Sequence, residues 1–415
     1  MSDETATVER ASFLSSPPIC LTGHTWDRRR VRLVRIEEGR TKLLVPRDSL
    51  SVVPPSTPVF YNPAASINRS VSVAITEATR GSDFCDALAG IGARGIRIAS
   101  EVRSREMSVC IVDINGESVD LARRNARLNG VGAKCSFTRS EANSFLHSRY
   151  GRDEKFAYLD VDPFGTPIPF LQAALRATKD RGIASFTATD TAVLCGVHVR
   201  VAERRYGGTP INNDFHHETG IRLLLNAIRR EAASLDIGIK PVAVHSTRHY
   251  IRAFVRIEVG ASKAEEGRSS EGCILWCRQC SSLAEGEPRA VGRVCGSCGS
   301  KLRVAGPLWL GALTDPIAIK ESTAASERLG LSEAARVLES LKGVDSLPPW
   351  SFCIEGICSS LHIASVPDAR VAELLRGQGY RTLRQPFEKT GLKTDAPYKE
   401  VVSAVARARD MRGRR

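Results

Sequence analysis

The chain has 415 residues, of which 42% are hydrophobic and 25% are charged, and its formal net charge is +13. This length exceeds one ordinary domain and predicts two or three, with ample apolar material for a core. No apolar run approaches the ~20 residues that a membrane span needs, and no signal sequence opens the chain, so we expect a soluble, cytosolic protein. The positive charge favours a polyanionic partner but does not separate RNA from DNA.

The N-terminal region changes from irregular to strand-like near residue 30. Residues 1–30 are rich in Ser, Thr and Pro and lack periodicity, so a poorly ordered extension is expected there. Residues 31–36 alternate in strand fashion, Glu-Glu-Gly-Arg follows, and 41–45 is again strand-like. This pattern predicts a β-rich opening of the folded part.

Strand-like and helix-like stretches alternate between residues 81 and 260, which predicts an α/β fold with a mostly parallel sheet and helices on both faces. The predicted strands cover 83–86, 108–113, 134–138, 156–161, 182–187, 240–246 and 250–259. The predicted helices between them include 116–129, 167–179 and 217–233. Only a short turn around Thr247-Arg248 separates the last two strands, so they are expected to pair antiparallel.

The chain changes character again after residue 260. Residues 260–272 are polar and rich in Gly, Ser and Glu, and we interpret them as a linker. A largely helical part follows, with helices predicted over 317–342 and 367–377 and extended pieces around 380–385. The expected organisation is a domain over 31–260 and a smaller α+β domain over 261–415, with a cysteine-rich element at 273–300.

A glycine-rich loop follows the first strand of the alternating region. Asp86 precedes the pattern GxGxxG over residues 90–95, which in many α/β proteins binds a dinucleotide. Asp86 would repel a pyrophosphate but suits the cationic methionine end of S-adenosylmethionine. Asp113 ends the second strand, where a carboxylate accepts the ribose hydroxyls of either cofactor. We predict cofactor binding by Asp86, Gly90, Gly92 and Asp113, and a tight β–α turn is the structural alternative.

The third predicted strand exits into Arg139-Ser140-Glu141-Ala142. In sheets of this kind that edge lies beside the adenine ring, where a side-chain acceptor meets the exocyclic amine. Glu141 is therefore a candidate for the adenine contact, and an exposed loop glutamate is the alternative.

The fourth strand ends in Asp160-Val161-Asp162-Pro163-Phe164-Gly165, at the edge where open α/β sheets bind ligands. A base amine is a poor nucleophile because its lone pair is delocalised into the ring. Asp162, helped by a carbonyl near Pro163, can accept the amine hydrogens and direct the lone pair at a methyl donor. Phe164 suits stacking on a base, and Asp160 suits orienting the loop or touching the methionine group. The alternative is an Asp-Pro turn with a core phenylalanine.

Four of the 12 cysteines form the pattern Cys277-x2-Cys280-x14-Cys295-x2-Cys298. Paired CxxC motifs at this separation predict a closed, structural zinc site, with a redox-active pair as the alternative. The irregular spacing of the other cysteines argues against a disulfide scaffold. His216-His217-Glu218 is not an HExxH motif, and Cys195 has no evident base partner, so neither predicts a site.

These residues closely resemble the tRNA (guanine-26, N2)-dimethyltransferase family, particularly its archaeal members, over roughly residues 31–400. The matching motifs occur in order along the chain: Val59-Phe60-Tyr61-Asn62-Pro63, Asn68-Arg69, Asp86-Ala87-Leu88, Gly92-Ala93-Arg94-Gly95, Asp113-Ile114, Asp162-Pro163-Phe164-Gly165, Thr187-Ala188-Thr189-Asp190, Leu194-Cys195-Gly196, Gly306-Pro307-Leu308-Trp309-Leu310-Gly311 and Thr390-Gly391-Leu392-Lys393-Thr394-Asp395-Ala396-Pro397. So many dispersed matches make the resemblance far more specific than the glycine loop alone.

The resemblance implies a class I, Rossmann-like methyltransferase domain with a seven-stranded sheet, followed by a C-terminal domain particular to the family. It implies transfer of one or two methyl groups from S-adenosylmethionine to N2 of guanine 26 in tRNA. Asp162 would be catalytic, and Phe60 and Phe164 would hold the target base. The residues implied to line the cofactor site are Arg69, Arg94, Asp113, Glu141 and Ala142.

Other functions stay open at this point. The same acid–proline–aromatic arrangement would serve methylation of another amine, in DNA, ribosomal RNA or a glutamine side chain. A zinc-bearing RNA-binding protein with an inactive cofactor fold is a second class, which the intact Asp86, Asp113 and Asp162 argue against. A nicotinamide-dependent oxidoreductase is the third. No obligate protein partner is evident.

Overall fold

The computed structural model describes residues 31–51, 59–104, 106–247, 250–287, 294–388 and 390–410. The predicted extension over residues 1–30 and the predicted turn residue Arg248 lie outside this part of the chain. Among the described residues, no helix combines the length and the apolar character that a membrane crossing requires.

The folded part opens with the predicted pair of strands, β1 (Leu33–Glu38) and β2 (Thr41–Pro46), which form an antiparallel hairpin. Leu43 and Val45 of β2 are fully buried and pack with Ile91 of the glycine loop. Burial of these apolar side chains fixes the hairpin against the glycine loop. The hairpin therefore lies beside the point where the loop enters the following helix.

The β–α alternation predicted after residue 81 is confirmed. In chain order the elements are α1 (Ser66–Thr79), β3 (Asp83–Asp86), α2 (Ala93–Glu101), β4 (Ser108–Asp113), α3 (Gly116–Leu128), β5 (Cys135–Arg139), α4 (Ala142–Gly151), β6 (Phe156–Val161), α5 (Leu171–Ala177), β7 (Thr178–Ala188), α6 (Thr191–Leu194), α7 (Val199–Tyr206), α8 (His216–Ala233), β8 (Ile237–Thr247) and β9 (Tyr250–Val259). The seven strands form one sheet in the order β5-β4-β3-β6-β7-β9-β8. β3 to β7 are mutually parallel, and β9 runs antiparallel to both β7 and β8, as predicted for the last two strands.

The strand order creates a crevice at the carboxyl edge of the sheet. The chain moves outward from β3 through β4 to β5, and then returns to β6 on the other side of β3. Connections that leave a sheet in opposite directions from one point open a crevice there, and ligands bind in it. Asp86 and Asp113 are the last residues of β3 and β4, and Asp162 comes directly after β6, so all three border this crevice.

Both bounds predicted for the helix over 167–179 are wrong, because the α-helix begins only at Leu171. The helix predicted over 167–179 ends at Ala177, and Thr178 is already extended, with φ −92° and ψ 136°. Thr178 pairs with Phe156 of the neighbouring strand and closes the helix by donating its hydroxyl to the carbonyl of Ala174 at 2.8 Å. β-Sheet pairing thus outweighs the local helical pattern at this position.

The segment interpreted as a linker is part of the packed structure, so that interpretation is wrong. It forms α9 (Ala261–Glu266), in which Ala264 is buried. A Cβ at Gly238 of β8 would lie 2.5 Å from the carbonyl oxygen of Lys263, which shows how closely this helix approaches the sheet. The polar composition reflects the exposed face of a short helix.

The remaining elements follow α9 in the chain. They are β10 (Glu271–Trp276), β11 (Leu283–Gly286), β12 (Arg303–Trp309), α10 (Pro316–Leu329), α11 (Ser332–Ser340), α12 (Ile354–Ser360), α13 (Asp368–Gly377), β13 (Thr382–Arg384), β14 (Leu392–Thr394) and α14 (Tyr398–Asp410). β10, β11 and β12 form a small antiparallel sheet, and β13 pairs with β14. The helix predicted over 317–342 is divided at Gly330, which ends α10 in the left-handed conformation at φ 76°.

Two large hydrophobic cores underlie these elements, and Cys273 and Leu275 form a small cluster within the β10–β12 sheet. The core of the large sheet continues into α10 and α11 through Leu329 and Leu338, whereas residues 352–408 surround a second core. A fully buried ion pair joins the two parts, because Lys393 Nζ lies 2.6 Å from Glu218 Oε2 of α8. The division into domains at residue 260 stays a prediction.

Candidate functional site

Three carboxylates meet where β3 and β6 end. Asp86 and Asp160 face each other in the register of these parallel strands, and Asp162 comes directly after β6. Asp86 and Asp160 are buried, whereas the side chain of Asp162 keeps 24% of its surface exposed. Of the three, Asp162 is therefore the carboxylate with the greatest exposure to solvent.

Arg94 of α2 holds two of these acids in place. Its Nε lies 3.1 Å from Asp160 Oδ1, and one terminal nitrogen contacts Asp162 Oδ2. The other terminal nitrogen donates to Asn68 Oδ1 at 2.8 Å and to Ser72 Oγ at 2.7 Å. Arg94 thus binds Oδ2 of Asp162 and fixes the orientation of this carboxylate. The predicted contact between Arg94 and a cofactor stays a prediction.

Arg252 completes the cluster and was missed by the sequence analysis. It is fully buried on β9, contacts Asp160, and donates to Thr187 Oγ1 at 2.5 Å and Ser185 Oγ at 3.0 Å. A signal was present, because Arg252 interrupts an otherwise apolar stretch of β9. A charge buried in a strand needs an opposite charge nearby, and here that charge is Asp160.

The buried acids differ in how readily they lose a proton. Burial, followed by the charge of Asp160, raises the pKa of Asp86 to about 7. Burial also works to raise the pKa of Asp160, but the Arg252 and Arg94 guanidinium groups outweigh it and lower that pKa. Asp160 is therefore fixed as a carboxylate, and Asp86 is the acid whose ionisation responds to a nearby positive charge.

The glycine loop has the tight conformation that the sequence predicted. Gly90 and Gly92 have φ of +53° and +75°, and a Cβ at Gly92 would lie 2.9 Å from that of Ala122. The Gly90 N–H donates to Asp113 Oδ2 at 2.7 Å, while Asp113 Oδ1 accepts from the Asn115 N–H at 2.8 Å. Each oxygen of Asp113 has a further lone pair, so the carboxylate is fixed in direction and can accept another hydrogen bond.

Glu141 lies at the exit of β5, as predicted, and is exposed. Its carboxylate caps α4 by accepting from the N–H groups of Asn143 at 2.9 Å and Ser144 at 2.7 Å. Slight burial works to raise the pKa of Glu141, but these N–H groups outweigh it and lower the pKa. Helix capping accounts for the residue structurally. The adenine contact of Glu141 stays a prediction, as does that of the buried Ala142.

Arg69 of α1 belongs to a separate buried network beside the hairpin. Its Nε lies 2.7 Å from Glu38 Oε1, and its Nη2 donates to the Asn62 carbonyl at 3.0 Å. The guanidinium also lies 4.9 Å from the centre of the Tyr61 ring. Arg69 therefore fixes the loop that carries Phe60, and its predicted cofactor contact stays a prediction.

Two predicted aromatic residues form a pair in which Phe60 is half-buried and Phe164 is exposed. The rings of Phe60 and Phe164 have centroids 4.7 Å apart and planes inclined by 74°. Phe164 is 74% exposed, although a large apolar ring normally gains free energy by burial. The loop that presents it is fixed, because Gly165 and Thr189 exchange backbone and side-chain hydrogen bonds at 2.8 Å and 2.7 Å. Such a pair can bind the face of a planar ring.

Two more polar residues near the acids were missed. His245 on β8 and Tyr250 on β9 are buried, and neither His245 Nε2 nor the Tyr250 hydroxyl has a hydrogen-bond partner within the described residues. Burial, with the charges of Arg252 and Arg94, lowers the pKa of His245 to about 3. His245 is therefore neutral and lies close to the cluster. Neither residue belongs to a recognisable motif, so the sequence carried no signal.

The four predicted metal ligands come together at the end of the small sheet. Their sulfur atoms all lie within 4.8 Å of one another, with Cys277 to Cys298 at 3.5 Å and Cys280 to Cys295 at 3.4 Å. Four sulfurs bound to one zinc ion at about 2.3 Å lie about 3.8 Å apart, so the arrangement suits a tetrahedral site. Backbone N–H groups, first that of Ser297, lower the pKa of Cys295 to about 6, which favours the thiolate that binds metal.

Comparison with known proteins gives a consistent result over nearly the whole chain. The sequence model of the N2,N2-dimethylguanosine tRNA methyltransferase family matches residues 39–406. A tRNA (guanine(26)-N(2))-dimethyltransferase of Methanopyrus kandleri is 37% identical over 373 residues, covering 88% of this chain and 94% of the relative. One from Methanosarcina acetivorans is 34% identical over 384 residues, covering 88% and 96%.

The fold is also similar to that of a solved structure. Trm1 from Pyrococcus horikoshii, solved as a complex with S-adenosyl-L-methionine, superposes with a TM-score of 0.79 at 31% sequence identity. The match covers 90% of this chain and 99% of that protein. The chain therefore belongs to the N2,N2-dimethylguanosine tRNA methyltransferase family, as the resemblance in its motifs predicted.

Proposed function

We propose that this protein transfers methyl groups from S-adenosylmethionine to N2 of guanine 26 in tRNA. Family membership supports the reaction, and so do the activity named for its relatives and the cofactor of the P. horikoshii structure. The observation that carries the proposal is the position of Asp162. An accessible carboxylate lies there beside an aromatic pair, with one ring exposed, at the carboxyl edge of an α/β sheet.

The crevice suits S-adenosylmethionine, which supplies an electrophilic methyl group on a positively charged sulfur. The positive φ of Gly90 and Gly92 lets the backbone approach a ligand, and the fixed carboxylate of Asp113 suits a ribose diol. Three carboxylates face two arginines nearby, so a cation there balances the excess negative charge. We assign the methionine end to Asp86 and Asp160, and the adenosine end to Asp113, Glu141 and Ala142.

The target amine is activated by Asp162 in this proposal. Arg94 occupies Oδ2, and no hydrogen bond within the described residues reaches Oδ1, which is left to accept an amine hydrogen of guanine. A backbone carbonyl near Pro163 accepts the second hydrogen. Accepting both hydrogens directs the nitrogen lone pair at the methyl carbon for in-line displacement. The N–C bond would form as the methyl–sulfur bond breaks, S-adenosylhomocysteine would leave, and one amine proton would pass to Asp162. Phe60 and Phe164 hold the base, with the exposed Phe164 ring against its face.

The remaining parts serve binding of the tRNA. A net charge of +13 provides long-range attraction for the phosphate backbone. We assign residues 31–260 to methyl transfer and residues 261–415 to tRNA binding, with the four cysteines holding a structural zinc ion. A closed site of four thiolates leaves no open coordination position, so its metal stabilises the fold. Cytoplasmic action on tRNA, without an obligate protein partner, completes the proposal.

The direct test is methyl transfer from labelled S-adenosylmethionine to two tRNA transcripts that differ only in guanine or adenine at position 26. We expect label only in the guanine transcript, and mass spectrometry of its nucleosides should show methylation at N2. Equal label in both transcripts would contradict the assigned position. Absence of label in both, with transfer to another nucleic acid or to glutamine amide, would replace the proposed substrate.

A further inference from the structure

A second group of candidate metal ligands shares no residue with the four cysteines or with the acid–arginine cluster of Asp86, Asp160, Asp162, Arg94 and Arg252. Cys195 Sγ and one ring nitrogen each of His216 and His217 lie within 4.8 Å of one another. Cys195 follows α6, and the two histidines begin α8. No motif links them in the sequence, because about 20 residues separate the cysteine from the histidines.

Close packing of the chain brings these segments together. Cys195 is buried, and its N–H donates to the Thr191 carbonyl at 2.8 Å, which fixes the end of α6. A Cβ at Gly196 would lie 2.7 Å from the backbone nitrogen of Asn212, just before α8. One at Gly220 would lie 3.3 Å from the Leu194 Cβ. The thiol and the imidazoles therefore face each other across a contact that backbone packing holds.

Hydrogen bonds orient both imidazoles as in metal sites. His217 Nδ1 lies 2.7 Å from Glu388 Oε2, and His216 Nδ1 lies 2.5 Å from the Asn213 carbonyl oxygen. A carbonyl oxygen can only accept, so neutral His216 carries its proton on Nδ1 and has a free lone pair on Nε2. A carboxylate partner sets the same tautomer in His217. Metal-ligating histidines almost always use their other nitrogen in this way.

We propose that Cys195, His216 and His217 bind a zinc-like divalent transition metal at a second site. One thiolate and two imidazoles are a donor set that zinc favours, and three protein ligands leave a fourth position for water or another donor. There is room for it, because a cavity of about 450 Å³ lined by Asp214, His217, Cys353 and Glu388 adjoins the group. Glu388 is then a positioning residue that aligns His217.

Such a metal would join three parts of the chain. α6 follows the loop after β7, α8 packs against β8 and β9, and Glu388 belongs to the C-terminal region. A bound ion would fix the catalytic edge of the sheet against that region. The inference does not depend on the proposed methyl transfer, and its test uses neither tRNA nor S-adenosylmethionine.

The experiment is titration of the full-length, metal-stripped protein with Co²⁺, followed by absorption spectroscopy and by elemental analysis of bound metal. We expect two ions per chain, one with the spectrum of four thiolates and one with that of a single thiolate and two nitrogens. In Cys277→Ser/Cys280→Ser the four-thiolate spectrum should disappear and the second should stay. Cys195→Ser and His217→Gln should each lose the second spectrum only.

Two further variants test the details. Glu388→Gln should keep the second ion but weaken its affinity about 10- to 100-fold, the usual effect of removing a partner of a metal-bound histidine. Cys353→Ser is the matched control, since its thiol lines the same cavity and caps α12, and it should bind both ions unchanged. A wild-type chain that binds an ion only with the four-thiolate spectrum overturns the proposal whatever the variants do. Two ions retained in Cys195→Ser overturn it as well.

Discussion

Two buried networks of charged residues in this protein differ in how completely their polar atoms are paired. Between the two cores, Lys393 Nζ donates to Glu218 at 2.6 Å and to the carbonyls of Pro348 at 2.8 Å and Trp350 at 3.1 Å, and Arg222 binds the other Glu218 oxygen at 2.8 Å. All three protons of the ammonium group are used.

The acid–arginine cluster at the sheet edge is incomplete by comparison. Within the described residues, Asp162 Oδ1, His245 Nε2 and the Tyr250 hydroxyl have no hydrogen-bond partner, and the pKa of Asp86 is raised to about 7 by burial and by Asp160. Buried polar groups are normally satisfied, so a fully paired network points to a structural role. A cluster with unused acceptors points to a ligand.

Replacement of the Asp162 carboxylate, the accessible acceptor, should have the largest effect on the rate of methyl transfer. Asp162→Asn keeps the shape of the side chain but supplies N–H donors in place of a carboxylate, so it cannot accept the amine hydrogens with the same strength. We expect the single-turnover rate of methyl transfer to fall about 100- to 10,000-fold. Binding of S-adenosylmethionine, measured by calorimetry, should be unchanged.

Asp83→Asn is the matched control, because Asp83 begins the same strand that Asp86 ends and pairs with Lys179 at 2.7 Å. It lies at the opposite edge of the sheet, so the transfer rate should stay at the wild-type value. Normal transfer by Asp162→Asn would remove the role assigned to this residue.

Substitution in the Lys393–Glu218 network should lower the free energy of unfolding and leave the methyl-transfer rate unchanged. Lys393→Met leaves Glu218 as a buried charge without its ammonium partner, which typically costs about 3–5 kcal/mol in the free energy of unfolding. Denaturant unfolding measures this loss, and the methyl-transfer rate per folded molecule should persist. Lys399→Met, at an exposed lysine, should change stability by less than about 0.5 kcal/mol. Equal stability of the two variants would refute the structural role.

Removal of the exposed Phe164 ring should weaken binding of tRNA and change no other property. Phe164→Ala removes one face of the proposed base clamp, and stacking on an aromatic ring contributes about 1–3 kcal/mol per base, which is roughly 5- to 150-fold in affinity. We expect the KM for tRNA to rise within that range. The melting temperature should hardly change, because 74% of Phe164 is already exposed. A large drop in melting temperature would instead indicate a packing role.

The comparison also shows what the sequence could reveal. The acids at the ends of β3, β4 and β6 were predictable, because the β–α alternation fixes which residues end parallel strands and those ends share one edge. The four zinc-type cysteines were predictable from local spacing. The end of α10 at Gly330 was missed, since a single glycine is tolerated in a helical pattern.

Contacts between distant segments left little or no local signal. His245 and Tyr250 lie in apolar strands and belong to no motif, and only the sheet order brings them to the acids. Glu141 and Arg69 were identified by position, yet their oxygens and nitrogens are occupied by protein groups that no spacing could indicate. The sequence thus placed the acids at the strand ends, and the structure was needed to show which of their atoms are paired within the described residues.

The smallest expected effect is a pH dependence of cofactor affinity. It tests whether the acid–arginine cluster binds a cation. With a pKa of about 7, Asp86 is protonated below that pH and ionised above it. A sulfonium cation favours the ionised form, so its binding releases a proton and must tighten as the pH rises through 7. Below pH 7 the affinity should fall up to about tenfold per pH unit.

Calorimetry at pH 6, 7 and 8 measures the trend, with S-adenosylhomocysteine as a ligand that lacks the sulfonium charge. Its affinity should depend less on pH. In Asp86→Asn the titrating group is absent, so the affinity for S-adenosylmethionine should be nearly constant and close to the wild-type value at low pH. Parallel pH curves for Asp86→Asn and the wild type would show that another group responds to the cofactor. The pKa of Asp86 would then not be linked to binding of S-adenosylmethionine.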